Sequence, residues 1–152
     1  KYIFLMPAST RQYTTGTNPG FSSYRYMNKW AIDVQFILWI QGENDSQVLA
    51  QANAYEANLT AIIEQIRERW NRPLMPFVLV RLGGAYTGTY KATINTAMQN
   101  VSVYLDDVYI VNTDDMTVQD YYGPTASPVH YNIMGAQKLQ RKIFTVIQSN
   151  GL

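Results

Sequence analysis

Four short segments of the chain are apolar at nearly every position and rich in β-branched or aromatic residues, namely residues 2–6, 34–40, 76–82 and 108–111. A strand that is apolar on both sides is buried on both sides, as happens in a parallel sheet covered by helices. This feature constrains the fold more than any other, because helices must then supply both outer layers. We therefore expect these segments to form the middle layer of an α/β domain.

Helical patterns lie between and after the expected strands. Apolar residues recur there every three or four positions, which places them on one face of a helix. Three such stripes cover residues 48–70, 94–105 and 136–147, and a weaker pattern covers residues 22–31. Strands and helices alternate along all 152 residues without a linker or a repeat. The alternation predicts a single domain, residues 1–152, with a mostly parallel sheet in a three-layer sandwich.

The composition excludes several classes of function. Lys and Arg number 12 against 11 Asp and Glu and are scattered, so we expect neither nucleic acid nor an anionic membrane as a partner. The longest apolar runs are far too short to cross a membrane. The chain has no cysteine and one histidine, which excludes a cysteine nucleophile and a multi-histidine metal site. We expect neither a metal nor another cofactor.

The first candidate site follows the second expected strand, in residues 39–46 (WIQGENDS). A buried strand there runs into a glycine and then into a series of polar residues before a helix begins. Asp45 or Ser46 can cap that helix, but capping does not explain Gln41 or Glu43. A side-chain amide fixed at the end of a strand can donate a hydrogen bond to a developing oxyanion.

The second candidate site is His130, which lies between the last strand and the last helix in residues 127–135 (SPVHYNIMG). Histidine ordinarily titrates close to neutral pH, so it can act as a general base. His130 and Gln41 both lie in strand-to-helix connections, on the edge where open α/β sheets bind ligands. We therefore expect the two side chains to approach one pocket.

Other residues of these connections have structural interpretations. Asn132 can cap the last helix, and Gly135 would let that helix pack closely. Residues 14–20 (TTGTNPG) and 83–89 (GGAYTGT) are typical of loops, and both follow expected strands. We expect both loops to lie at the same edge of the sheet as His130.

The two candidate sites together resemble the SGNH (GDSL-like) hydrolases. WIQGENDS is similar to the third sequence block of that superfamily, in the form found in carbohydrate acetylesterases and sialate O-acetylesterase-like proteins, and VHYNIMGAQKL is similar to the fifth. The resemblance extends from about the first residue to the end of the chain and implies a flavodoxin-like sheet. It also implies a serine esterase that removes O-acetyl groups from carbohydrate and needs no cofactor.

The resemblance also implies roles for individual residues. A serine attacks the ester carbonyl, and His130 takes the serine proton. Gln41 is the side-chain amide that binds the oxyanion. Gly42, Glu43 and Asp45 complete the same sequence block, and we expect them to brace the loop rather than to react.

The acid that precedes the histidine departs from the family pattern. Ser127 stands three residues before His130, and a serine cannot stabilise an imidazolium as a carboxylate does. Loss of the orienting carboxylate costs about four orders of magnitude in rate in the serine proteases. Asp120, Asp115 or Asp114 could substitute, or a backbone carbonyl could, and the sequence leaves these alternatives open.

The nucleophile is a second departure, because no G-D-S or G-Q-S-N segment is present. Ser9 follows the first strand, but that strand matches the second strand of the family fold. Ser9 would then lie in the second-block loop, where Gly16 could supply a backbone oxyanion donor. We expect a further segment upstream of Lys1 to supply the first strand and the nucleophile, with Ser9 in a shortened fold as the alternative.

A function of another class stays open at this point. Ser127, the missing nucleophile block and the 12 tyrosines are also typical of a catalytically degenerate copy of the fold. Such a domain would bind glycan or serve as a structural module of a larger surface or tail-fibre-like assembly. The esterase hypothesis instead predicts an acetylated carbohydrate as substrate. The sequence leaves the cellular location of the protein open, and an extracellular or surface-associated location is compatible with both functions.

Overall fold

The computed structural model describes residues 2–5, 34–123 and 129–152. Parallel strands form one sheet in the order β1-β2-β3-β4, with β1 at Tyr2–Leu5, β2 at Val34–Trp39, β3 at Phe77–Val80 and β4 at Val108–Val111. Within these described residues, three α-helices follow β2, β3 and β4 in turn, with α1 at Leu49–Arg69, α2 at Lys91–Tyr104 and α3 at Ile133–Ser149. The predicted strands and long helices are confirmed to within three residues at each end. The weaker helix at residues 22–31 lies outside the described residues.

Helices cover both faces of the sheet, which confirms the three-layer α/β sandwich. Helices α1 and α2 pack together on one face, where the core includes Ile37, Trp39, Tyr55, Leu59, Ile63, Phe77, Leu79, Ile94 and Met98. Helix α3 packs on the other face, where the core includes Phe36, Leu38, Val78, Val80 and Leu139. Because successive residues of a strand point to opposite faces, a strand buried on both faces must be apolar throughout.

The ends of α1 confirm one prediction and correct another. Asp45 or Ser46 was expected to cap α1, and this is wrong, because Val48 is the N-cap residue and makes no side-chain cap. Asp45–Gln47 form a short 3-10 helix, in which Asp45 accepts from Gln41 and Ser46 donates to the Glu43 carbonyl oxygen instead of capping α1. The predicted end is confirmed, since α1 stops at Arg69 and Asn71 then takes a left-handed φ of 50°.

Strands β1 and β2 are direct neighbours. Ile3 pairs with Phe36, and Leu5 pairs with Leu38. The sequence predicts that loss of a central strand would leave neighbouring edges unpaired, but the described strands show no gap between β1 and β2. A further strand would therefore have to pair at an outer edge of this sheet, and its existence stays a prediction.

Candidate active site

Three connections meet at the carboxyl edge of the sheet. Residues 40–48 follow β2, residues 81–90 follow β3, and residues 129–132 precede α3. Together with Tyr121, which follows β4, they line a narrow recess formed by Glu43, Leu82, Gly83, Tyr86, Tyr121, Val129 and Tyr131. Because Val129 and Tyr131 flank His130 in the chain, the recess brings the Glu43 loop and the His130 segment to one place.

Gln41 is held at the end of β2 through both its backbone and its side chain. The Tyr55 hydroxyl of α1 donates to the Gln41 carbonyl oxygen at 2.9 Å and accepts from the indole N–H of Trp39 at 3.0 Å. The Gln41 residue is only 2% exposed, and its Nε2 donates to Asp45 Oδ2. An amide nitrogen carries two hydrogens, so one remains after this bond. Among the described residues the second hydrogen has no acceptor, so Gln41 is a buried amide donor fixed by Asp45.

Gly42 makes the turn between Gln41 and Glu43 possible. Its φ of 142° favours glycine, and a Cβ atom at this position would lie 2.8 Å from the Ile94 side chain. Its carbonyl oxygen accepts from the N–H of Ser46 at 2.9 Å, which closes the loop. Gly42 thus closes the loop, and its expected part in the site stays a prediction.

The Glu43 carboxylate lies part-buried in the recess. Burial raises its pKa above the ordinary value, while the N–H groups of Glu43 and Gly42 and the charge of His130 lower it in part. The nearby Asp45 charge acts in the raising direction. Burial has the largest effect and outweighs the favourable charge of His130.

His130 itself is exposed, and its backbone is held on both sides. The His130 carbonyl oxygen accepts from the N–H of Tyr122 at 2.9 Å, and Tyr121 and Tyr131 form an antiparallel bridge. The rings of these two tyrosines stack with their centroids 4.7 Å apart. Burial raises the pKa of both phenol groups, which therefore stay protonated. The imidazole is presented to solvent from a well-anchored segment.

Asn132 and Gly135 do what the sequence predicts. Asn132 Oδ1 accepts from the N–H of Gly135 at 2.9 Å and so caps α3, while Nδ2 donates to the carbonyl oxygens of Gln119 and Tyr121 at 2.6 and 3.0 Å. A Cβ atom on Gly135 would lie 1.9 Å from the Asp120 carbonyl oxygen. Both predictions are confirmed, and together these contacts fix the start of α3 next to His130.

Asp120, one of the acids that the sequence offers for His130, has other partners. Its Oδ2 accepts from the N–H of Thr117 at 2.8 Å and pairs with Lys138 at 3.3 Å. Burial acts to raise the pKa of Asp120, but the Thr117 and Lys138 contacts outweigh it and lower the pKa overall. The carboxylate therefore stabilises a turn and an ion pair.

The other two aspartates are also paired. Asp115 contacts Lys142 at 2.7 Å, and Asp114 contacts Arg81 at 3.1 Å. Within residues 34–123 and 129–152, no hydrogen bond or ion pair joins these acids to His130. The three aspartates thus pair with basic side chains, while the charge of His130 acts on Glu43 without a described hydrogen bond or ion pair between them.

Three residues named from the sequence lie outside the described residues, namely Ser9, Gly16 and Ser127. The nucleophile, the second oxyanion donor and the effect of the serine that replaces the usual acid therefore stay predictions. The described part of the chain holds no group of three His, Cys, Asp or Glu side chains placed to bind a metal. Across those same residues, no helix is long and apolar enough to span a lipid bilayer.

Sequence reasoning missed the tyrosines of the recess. Tyr86, Tyr121 and Tyr131 line it together, whereas the composition indicates only that tyrosine is abundant in the chain. Two signals could have found them. Tyr86 lies in the glycine-containing loop at the predicted ligand edge, and Tyr131 is the neighbour of His130 in the sequence.

A family model described as carbohydrate esterase, sialic acid-specific acetylesterase, matches residues 19–148. The chain belongs to this family. The match includes the Gln41–Glu43 block and His130, and it confirms the resemblance to the carbohydrate acetylesterase branch. No curated protein matches the chain.

Two solved structures show the same fold. A protein from Arabidopsis thaliana superposes with a TM-score of 0.61 at 22% identity, over 82% of this chain and 48% of its own. A carbohydrate acetylesterase from Xanthomonas citri gives a TM-score of 0.61 at 17% identity, over 78% of this chain and 26% of its own. The chain thus spans about half of the first structure and about a quarter of the second. At these identities the likeness shows the fold alone.

Proposed function

We propose that the protein carrying this chain is a serine esterase that releases acetyl groups from carbohydrate. The observation that carries the proposal is the meeting of the Glu43 loop and the His130 segment at one recess, in a member of a carbohydrate esterase family. The acetylesterase among the structural neighbours supports an acetylated carbohydrate as substrate. The family match favours this function over the glycan-binding module.

His130 is the general base of the proposed reaction. The serine oxygen attacks the ester carbonyl while its proton passes to the imidazole, and the protonated imidazole then gives that proton to the departing sugar hydroxyl. Water next attacks the acetyl-serine, again through His130, and acetate leaves. The exposed imidazole suits both half-reactions because it must reach a sugar oxygen and later a water molecule. Ser9 and a serine upstream of Lys1 are the candidate nucleophiles.

Glu43 is the acid that supports His130 in this proposal. Ser127 stands where the family places that acid, and Asp114, Asp115 and Asp120 are paired with basic side chains. Glu43 remains as a part-buried acid of the recess that Val129 and Tyr131 also line, and the charge of His130 acts on it. A carboxylate with reduced access to water stabilises an imidazolium more strongly than an exposed one. This role goes beyond the bracing role expected from the sequence.

Gln41 supplies a donor to the oxyanion. Asp45 accepts one hydrogen of the Gln41 amide and thereby sets which way the Nε2 group faces. The other hydrogen is available to a negative oxygen that develops during attack. Donors fixed before the reaction need no reorganisation, which is why they lower the barrier. A backbone N–H, with Gly16 as the candidate, would add a second donor.

The test uses the full-length protein and two measurements. Acetate release from an O-acetylated oligosaccharide is followed enzymatically, and a fluorophosphonate probe labels the activated serine by forming a phosphorus–oxygen bond with loss of fluoride. We expect acetate release, its loss after labelling, and one modified serine in the peptide map. The position of that serine decides between Ser9 and an upstream residue.

Two results would contradict the proposal. Acetate release without any labelled serine would exclude the serine mechanism. Tight binding of the oligosaccharide with no acetate release would instead support the glycan-binding module. A matched reaction with the deacetylated oligosaccharide controls for acetate from other sources.

A further inference from the structure

The hydroxyl group of Tyr86 joins two loops of the candidate active site. It lies 2.8 Å from the Glu43 carbonyl oxygen, to which it can donate, and 2.8 Å from the Ser46 hydroxyl. It also accepts from Gln47 Nε2 at 2.5 Å. Tyr86 belongs to the connection after β3, whereas its three partners all belong to the loop after β2. One phenol oxygen thus connects the two loops.

Further contacts tighten the same junction. The Ser46 hydroxyl donates to the Glu43 carbonyl oxygen at 2.7 Å, so this carbonyl has two hydroxyl groups near it. The N–H of Tyr90 donates to the Ser46 carbonyl oxygen at 2.8 Å. A Cβ atom on Gly88 would lie 2.4 Å from both the Ser46 hydroxyl and the Tyr86 ring. The backbone after β3 therefore approaches as closely as a glycine allows.

We propose that Tyr86 is a positioning residue that sets the place of Glu43 relative to His130. The inference rests on the proposed function, because it concerns the acid assigned there. Hydrogen bonds to the Glu43 carbonyl fix the peptide from which the carboxylate projects. Glu43 and Tyr86 also line the same recess, so a shift of this peptide moves the carboxylate within the site. A misplacement of about 1 Å can cost a hundredfold in rate.

The ring and the hydroxyl of Tyr86 have separable roles. The ring is buried in the core beneath α1 and α2, so it contributes packing to the fold. The described hydroxyl contacts go to Glu43, Ser46 and Gln47. Replacing Tyr86 by phenylalanine therefore keeps the packing and removes the link between loops. Tyr109 offers a matched control, because its hydroxyl donates to Asp107 at 2.9 Å at the start of β4, the opposite end of the sheet.

The experiment compares full-length wild type, Tyr86→Phe and Tyr109→Phe. For Tyr86→Phe we expect kcat for an aryl acetate to fall roughly ten- to a hundredfold with KM nearly unchanged. We also expect faster hydrogen–deuterium exchange confined to the peptide that covers residues 41–48. Tyr109→Phe should keep both kcat and the exchange of that peptide. Ser46→Ala, which removes the other hydroxyl at the Glu43 carbonyl, should reproduce the exchange effect.

Several outcomes would overturn the inference, and they differ from failure of the proposed function. Faster exchange at residues 41–48 with unchanged kcat would show that Tyr86 is only structural. Faster exchange throughout the protein would show general destabilisation in place of positioning. A rise in KM alone would show that Tyr86 contacts substrate. Absence of esterase activity in the wild type would overturn the proposed function and, with it, the catalytic part of this inference.

Discussion

The two segments that build the candidate site are held in opposite ways. The loop at residues 41–47 has buried polar side chains, and these bond to one another and to the next loop, as Asp45 does with Gln41 and Ser46 with Tyr86. The segment at residues 129–132 exposes its histidine and is held by backbone bonds and the Asn132 cap. Hydrogen bonds thus hold the side chains of residues 41–47 in place. In residues 129–132 they hold the backbone, and the His130 side chain projects from it into solvent.

This difference matches what each group must do in the proposed reaction. A donor to an oxyanion works best when it is already in place and shielded from water. A general base must reach a serine, a sugar oxygen and then water, so it needs access to the site. We therefore expect substitutions in the two segments to separate activity from stability. In residues 41–47 both should change, while at His130 activity alone should change.

The largest effect is expected for His130→Ala. Loss of the general base should lower kcat/KM for an aryl acetate by roughly 10⁵-fold or more, which is the scale of loss when the histidine of a serine-protease triad is removed. The melting temperature should stay within about 1 °C, because an exposed side chain contributes little to stability. Esterase assays and thermal melts of the full-length protein measure the two quantities. Retained turnover would remove His130 from the mechanism. A large fall in melting temperature would show that His130 also stabilises the fold, contrary to the contrast drawn between the two segments.

Glu43→Gln is expected to lower activity but to raise stability. The amide keeps the shape but cannot stabilise an imidazolium, so kcat should fall by as much as 10⁴-fold, as with the orienting acid of serine proteases. Burial raises the pKa of Glu43, so the folded protein holds this proton at pH values at which the unfolded chain has lost it. Stability therefore falls as pH rises above the ordinary carboxyl range of about 4.5.

The Glu43→Gln variant has no carboxyl group to deprotonate at this position. Its melting temperature should therefore exceed that of the wild type by a margin that grows with pH. Melts at pH 4.5 and pH 8 measure the margin. Asp115→Asn is the matched control. The contact with Lys142 lowers the pKa of this exposed carboxylate, so its loss should lower the melting temperature where the loss of Glu43 raises it. A margin independent of pH would show that the Glu43 carboxylate does not destabilise the fold.

Much of the fold could be predicted because strands buried on both faces leave an unambiguous pattern. The start of α2 was placed three residues late, since its first turn carries Lys91 and Thr93 and no apolar stripe. The capping prediction failed for a different reason. Asp45 and Ser46 are good capping residues, but nearby groups of the folded loop compete for the same side chains, and a linear pattern does not show which partner prevails.

The acid proposed to support His130 shows the limit of sequence reasoning at the site. Asp120 and Asp115 lie close to His130 in the sequence, which favours them as its acid. In the folded chain, however, Lys138 and Lys142 of α3 pair with these carboxylates. Glu43 is far away in the sequence and reaches the recess because β2 and the start of α3 meet at one edge of the sheet. Contacts of this kind depend on how elements pack, and side-chain spacing along one segment carries no information about them.

The smallest of the three activity effects is expected for Gln41→Ala, and it tests the comparison most directly. Removal of one oxyanion donor lowers kcat by roughly a hundredfold or more, with little change in KM, because the bond forms mainly in the transition state. The same substitution removes the bond from Gln41 Nε2 to the buried Asp45 carboxylate, which costs about 1.5–3 kcal/mol. A loss of this size lowers the melting temperature of a domain of this length by several degrees.

Gln41→Ala should thus lower kcat and the melting temperature together, whereas His130→Ala should lower activity alone. Gln137→Ala, at an exposed glutamine of α3, is the matched control and should change neither. Steady-state kinetics and thermal melts of the three full-length variants supply the comparison. A change confined to KM would mean that Gln41 holds substrate. An unchanged melting temperature would mean that the Asp45 contact does not brace the loop, because a buried charge-assisted bond cannot be removed without cost if it forms in solution.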